Sequence, residues 1–138
     1  MRLPVVLGLI LASGQASLAQ DPSATLALEL NTATPTETGC NLTFVAQSTL
    51  PDDVDALVLE TVLFDTSGQV SLMTMLDFSA LPSGRSRVRQ FALPNAPCDQ
   101  IGKLLFNGVQ SCDGAQVSPA SCDAALTVSS RTDIEVTR

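Results

Sequence analysis

The chain has 138 residues, with fourteen acidic against seven basic side chains, a formal net charge of −7 and no histidine. This balance argues against general nucleic-acid binding, which needs a basic field, and disfavours adhesion to anionic lipid headgroups. Without histidine the commonest general base is missing, and no Ser–His–Asp or Cys–His arrangement can form.

Met1 and Arg2 form a short basic start, and Leu3 to Ala12 is a continuous apolar run. Ser17-Leu18-Ala19 places small residues where a signal peptidase reads them, so residues 1–19 are expected to be a secretory signal peptide cleaved before Gln20. Cleavage after Ala16 is the alternative. The apolar run is about ten residues and a membrane span needs about twenty, so no transmembrane span is expected after cleavage. Absence of an arginine pair favours the general secretion route. Residues 20–138 then fit a single domain with one modest core.

Short β-like runs follow in chain order. In "ATLALELN", Leu26, Leu28 and Leu30 share a face, as do Leu42, Phe44 and Ala46 in "CNLTFVAQS". "ALVLETVLFD", Ala56 to Asp65, is apolar on both faces, which predicts a central strand. After the turn Asp65-Thr66-Ser67-Gly68, "QVSLMTMLDF" places Val70, Leu72, Leu76 and Phe78 together and turns Met73 and Met75 outward. Leu81-Pro82-Ser83-Gly84 is a further turn before the strand Arg85 to Leu93, and Ile101 to Val109 and Ala124 to Ser130 follow. Thr132 to Val136 could continue the last strand. No segment has a sustained helical period, and Asp113 to Ala120 reads as a polar loop. About seven short strands at even spacing predict an all-β, immunoglobulin- or fibronectin-like two-sheet sandwich, with a barrel or jelly roll as the alternative.

Four cysteines, Cys40, Cys98, Cys112 and Cys122, lie behind the leader. An even count in a secreted chain predicts two disulfides, and the spacings lack the Cys-x-x-Cys pair or histidines of a zinc site. In a sandwich of this kind Cys40, opening the second strand, and Cys98, preceding the sixth, lie at one end of facing strands. Cys112 and Cys122 would close a hairpin loop. This alignment favours 40–98 and 112–122 and leaves the two other connectivities open.

Signals for catalysis are poor. Lys103 is the only lysine, and no motif around it marks a base, so no enzyme activity and no cofactor are expected. Asp52, Asp53 and Asp55 lack the glycine and terminal acid of a calcium loop and read as a solvated turn. Met73 and Met75 could offer thioethers to copper, but without histidine or free thiol they read as packing or as an adaptable apolar patch; no metal site is expected. Asn41-Leu42-Thr43 matches a glycosylation acceptor. Arg85, Arg87 and Arg89 recur at period two in an acidic chain. With Val88 inward and a bulge near Gln90 to bring Phe91 and Leu93 into the core, the arginines form an outward row. That row either pairs with carboxylates such as Asp77 or Glu60, or docks an acidic partner.

The stretches "GCNLTFVAQSTL", "LVLETVLFDTSGQV", "LPSGRSRVRQFALP" and "CDQIGKLLFNGVQSC" resemble small periplasmic proteins of alphaproteobacteria. The resemblance spans nearly the whole chain after the leader and carries no catalytic motif. It implies a Gram-negative periplasm and a loose connection to envelope systems energised by proton channels. The expectation is a non-catalytic periplasmic protein that binds a protein partner through Arg85, Arg87, Arg89, Met73 and Met75, as an accessory subunit of an envelope complex. A small-ligand or metal-ion binding protein is the alternative.

Overall fold

A computed structural model describes residues 23–138; the leader read at 1–19 lies outside them. Alternating side chains of period two need one buried face per strand, and the chain meets this with two stacked sheets. One sheet has the order β5-β2-β1-β7 and the other β4-β3-β6-β8. The strands are β1 (Leu26–Pro35), β2 (Gly39–Ser48), β3 (Val54–Asp65), β4 (Val70–Leu81), β5 (Ser86–Pro94), β6 (Ile101–Asp113), β7 (Leu126–Ser130) and β8 (Glu135–Thr137). This is the all-β sandwich expected from the strand pattern. The pairs β1–β2, β2–β5, β3–β4 and β3–β6 are antiparallel, whereas the edge pairs β1–β7 and β6–β8 are parallel.

The core lies between the sheets. Leu26, Leu28 and Leu30 from β1 and Leu42, Phe44 and Ala46 from β2 are buried against Leu57, Leu59 and Leu63 of β3 and Leu104 and Phe106 of β6. Phe44 and Phe78 sit together at the centre of an aromatic cluster, their ring centroids 5.4 Å apart, and each packs against Phe91 and Phe106 at 5.0–6.0 Å. Such edge-to-face and tilted pairs contribute beyond the area they bury.

Both disulfides form as the strand alignment favours, Cys40–Cys98 and Cys112–Cys122. The first joins the start of β2 to a short 3-10 turn, Cys98–Gln100, that feeds β6, and so ties one sheet to the other. Gly39 sits beside it because β5 passes close by: a Cβ there would collide with the Leu93 carbonyl oxygen. The second joins the end of β6 to a helix.

That helix, α1 (Pro119–Ala125), corrects the expectation of a loop up to Ala120 and a strand from Ala124. It was hidden because it is only two turns long, too short for a hydrophobic period. Its start was nonetheless written locally: Ser118 accepts from the Ser121 amide, the Ser121 hydroxyl takes the Ser118 amide, and Pro119 fits the first turn. Cys122 therefore lies on α1 rather than at the start of a strand. The last strand is also divided. After Ser130 the chain turns through Thr132, and β8 joins the sheet opposite to β7.

Two expected facings are reversed. Val88 is 59% exposed, and β5 pairs with β2 in unbroken register from Pro94 to Ser86, with no bulge at Gln90. Arg87, Arg89, Phe91 and Leu93 therefore share the inward face. At the other sheet, an irregularity pairs Leu63 with Leu72 but Phe64 with Val70. The extra residue, Ser71, turns Val70 outward beside Met73 instead of into the core.

Candidate functional site

The sequence-derived contact residues fall on two different surfaces. Arg87 and Arg89 lie on β5, at the open side of the sandwich where the edges of the two sheets approach. Arg85 precedes β5, in the turn closed by its amide and the Pro82 carbonyl. Met73 and Met75 lie on the outer face of β4, in the other sheet, and are 60% and 49% exposed.

Arg89 is committed to the backbone. Its Nε donates to the Phe78 carbonyl at 2.6 Å and its Nη2 to the Ala80 carbonyl at 2.7 Å. Between them Ser79 adopts a left-handed φ of 57°, held by its amide donating to Asp77 Oδ1 at 2.8 Å. The planar guanidinium thus clamps an irregular stretch of β4 from across the sandwich. The carboxylates expected as its partners are engaged elsewhere: Asp77 holds Ser79, and Glu60 accepts from Asn107 at 2.6 Å. Arg87 donates to its neighbour's carbonyl, Ser86, and is half-buried; Arg85 is exposed.

The methionines belong to a larger apolar surface. Register places Met73 beside Val62 and Met75 beside Glu60 on β3, and Val62 beside Leu105 and Phe64 beside Lys103 on β6. Val70, 55% exposed, stands beside Phe64. Val62 is only 5% exposed although it faces away from the core, because its neighbours cover it. The result is a continuous patch of Val62, Phe64, Val70, Met73, Met75 and Leu105. Its rim is polar: Lys103 Nζ lies 4.6 Å from the Phe64 ring centroid, and Glu60, Asp77 and Glu135 border the rest. The sequence signal for this surface was the two-faced apolar pattern of β3. It marked an interior strand, as observed, but one sheet face of a two-layer sandwich has no second layer to cover it.

Beside the patch, the β3–β4 turn is built on Asp65. Its carboxylate accepts from the Ser67 hydroxyl at 2.6 Å and from the Ser67 and Gln69 amides at 2.9 and 3.0 Å. The Ser67 hydroxyl first, then the amides, hold the Asp65 carboxyl below the usual aspartate range.

Of the other candidates, Asp53 lies in the exposed turn before β3 and accepts from the Ser83 amide at 2.8 Å, which ties that turn to the one between β4 and β5. Among the described residues no three acidic, cysteine or histidine side chains converge to hold a metal ion. Asn41 lies within β2, half-buried and paired with Ala92. A cleft of about 620 Å³ opens at one end of the sandwich, with Arg131, Asp99 and Asp133 exposed at its rim. No described helix is long and apolar enough to cross a membrane. No protein-family model matches the chain, and neither a curated protein nor a solved structure matches it significantly.

Proposed function

We propose that this chain is a non-catalytic protein-binding domain of the periplasm, acting as an accessory subunit of a cell-envelope complex. One observation carries the reading: the apolar patch of Val62, Phe64, Val70, Met73, Met75 and Leu105 on an outer sheet face, bordered by charges. Contiguous apolar surface with a polar rim is characteristic of interaction sites, and methionine adapts to a partner's shape. Two disulfides support an oxidising compartment. The division of β1, β2 and β5 from β3 and β6 supports an immunoglobulin-like plan. Arg85 and Arg87 lie away from this patch, at the β5 edge of the other sheet, and are a separate candidate contact; Arg89 is a positioning residue that holds β4.

The test is photocrosslinking in the periplasm from position 73 or 75, with position 129 on the opposite outer face as control. The expected result is a discrete partner band from 73 and 75 that is absent from 129 and is lost in Val70→Asp. An identical pattern from all three positions would sink the docking reading. A second reading, a small-ligand binding protein, draws on the cleft at Arg131. Native mass spectrometry of protein purified from its own host separates the two, since a bound small molecule favours only the second.

A further inference from the structure

We propose that β4 accepts an extended segment of the partner as an additional strand, hydrogen-bonded along Leu72–Asp77. This rests on the reading of the outer face of the same sheet as a docking surface and adds the mode of attachment.

Three features of β4 converge on it. First, β4 is an edge strand: it pairs with β3 on one side only, and Leu72 to Asp77 pair with Leu63 to Val58 without a register shift. Edge strands are ordinarily blunted by lysine, proline or bulges, and this stretch contains none of these. Irregularities lie only at its two ends, at Ser71 and at Ser79. Beyond Asp77 the edge is closed, because Arg89 takes the outward carbonyls of Phe78 and Ala80. The free length, Leu72–Asp77, is that of an ordinary strand.

Second, the outward side chains of this stretch are Met73 and Met75. A strand laid beside β4 would extend their apolar surface with its own alternate side chains. Third, the inward side offers a pocket. A cleft of about 340 Å³ lies between Leu72 and the segment that follows β5, lined by Pro94, Ala96, Pro97 and Ile101. Leu72 itself is only half-buried. An inward side chain placed beside Leu72 by the incoming strand would fill that cleft.

Charge selects the occupant. Asp77, Glu60 and Glu135 border the outer face against Lys103, and Arg89, at the closed end of the edge, is taken up by the Phe78 and Ala80 carbonyls, in a chain of net charge −7. A second copy would bring two domains of like charge together. The fitting segment is therefore extended and apolar at alternate positions, with basic residues at its ends.

The probe is a synthetic peptide in which valine alternates with threonine between terminal lysines, long enough to span Leu72–Asp77. Amide hydrogen exchange by NMR reads the edge of β4, and the methionine methyl signals read the outer face. Strand addition predicts new protection confined to β4 amides, and shifts at Met73 and Met75. It also predicts that N-methylation of one alternate set of peptide amides weakens binding at least about tenfold, while the other set is tolerated. Methyl shifts without amide protection would overturn strand addition while leaving the docking face intact. No binding, or equal sensitivity to both N-methyl sets, would also overturn it. Protection of the same amides by concentration alone, with a doubling of mass, would assign the edge to a second copy instead.

Discussion

Arg89 reaches from β5 across the open side of the sandwich and donates to the Phe78 carbonyl on β4, at 2.6 Å. A second bond to Ala80 makes the guanidinium a clamp between two edge strands that have no ladder between them. A row that reads as a binding stripe thus includes one residue whose charge is spent on the fold.

Removing this clamp should cost stability that removing its neighbours does not. Charge-assisted bonds to carbonyls contribute about 1.5–3 kcal/mol, so Arg89→Ala is expected to lose about 2 kcal/mol by urea denaturation. Arg85→Ala and Arg87→Ala should stay within about 0.5 kcal/mol. Arg89→Lys should fall between, since an ammonium cannot serve both carbonyls in the same plane. Equal effects for all three alanine variants would refute the assignment.

The aromatic cluster is centred on the Phe44–Phe78 pair, and its weight is tested at Phe44. It is fully buried and touches three other rings. Phe44→Ala is expected to cost about 3–5 kcal/mol, in part as an unfilled cavity. Phe91→Ala, at a half-exposed position, should cost clearly less. The comparison of chemical-denaturation midpoints checks both.

The two disulfides should differ in weight. Cys40–Cys98 spans 58 residues and Cys112–Cys122 spans 10. Loop-closure entropy assigns them about 4 and about 3 kcal/mol. Paired alanine variants should therefore lose stability in that order. Non-reducing digestion followed by mass spectrometry should recover the 40–98 and 112–122 linked peptides and no others.

Asp65 should make the β3–β4 turn acid-sensitive. Its folded pKa lies below the unfolded value of 3.8, through the Ser67 hydroxyl and the amides of Gln69 and Ser67. A depressed carboxylate adds stability that is fully present above the unfolded value. That stability fades as the pH falls through 3.8 and is gone below the folded pKa. Asp65→Asn should show a flatter dependence of the denaturation midpoint on pH in this window. Parallel curves for the two proteins would mean that the turn bonds do not discriminate the ionised form.

Much of this architecture is legible in the chain because alternation is local. Leu26, Leu28 and Leu30, or Leu42, Phe44 and Ala46, announce one buried face whatever the strand packs against, and an even number of cysteines announces bridges. The facing of β5 was not legible. Val88 and Arg89 alternate equally well in either sense, and only the unbroken pairing of β5 with β2 turns Arg89 inward and leaves Val88 in water. Val70 was misplaced for a related reason: one extra residue at Ser71 reverses parity, and no composition signal marks a bulge.

By itself, then, the sequence determined an acidic all-β chain with two bridges, without histidine, whose strands each had a face to bury. Tertiary structure decided which faces met. It brought β4 and β5 edge to edge so that one arginine could close half of an edge. It also left the second apolar face of β3 beside Met73 and Met75 with no layer over it. The physical reason is the same in both cases. Period two says that a strand has two faces, but only the stacking of two sheets says which face is inside.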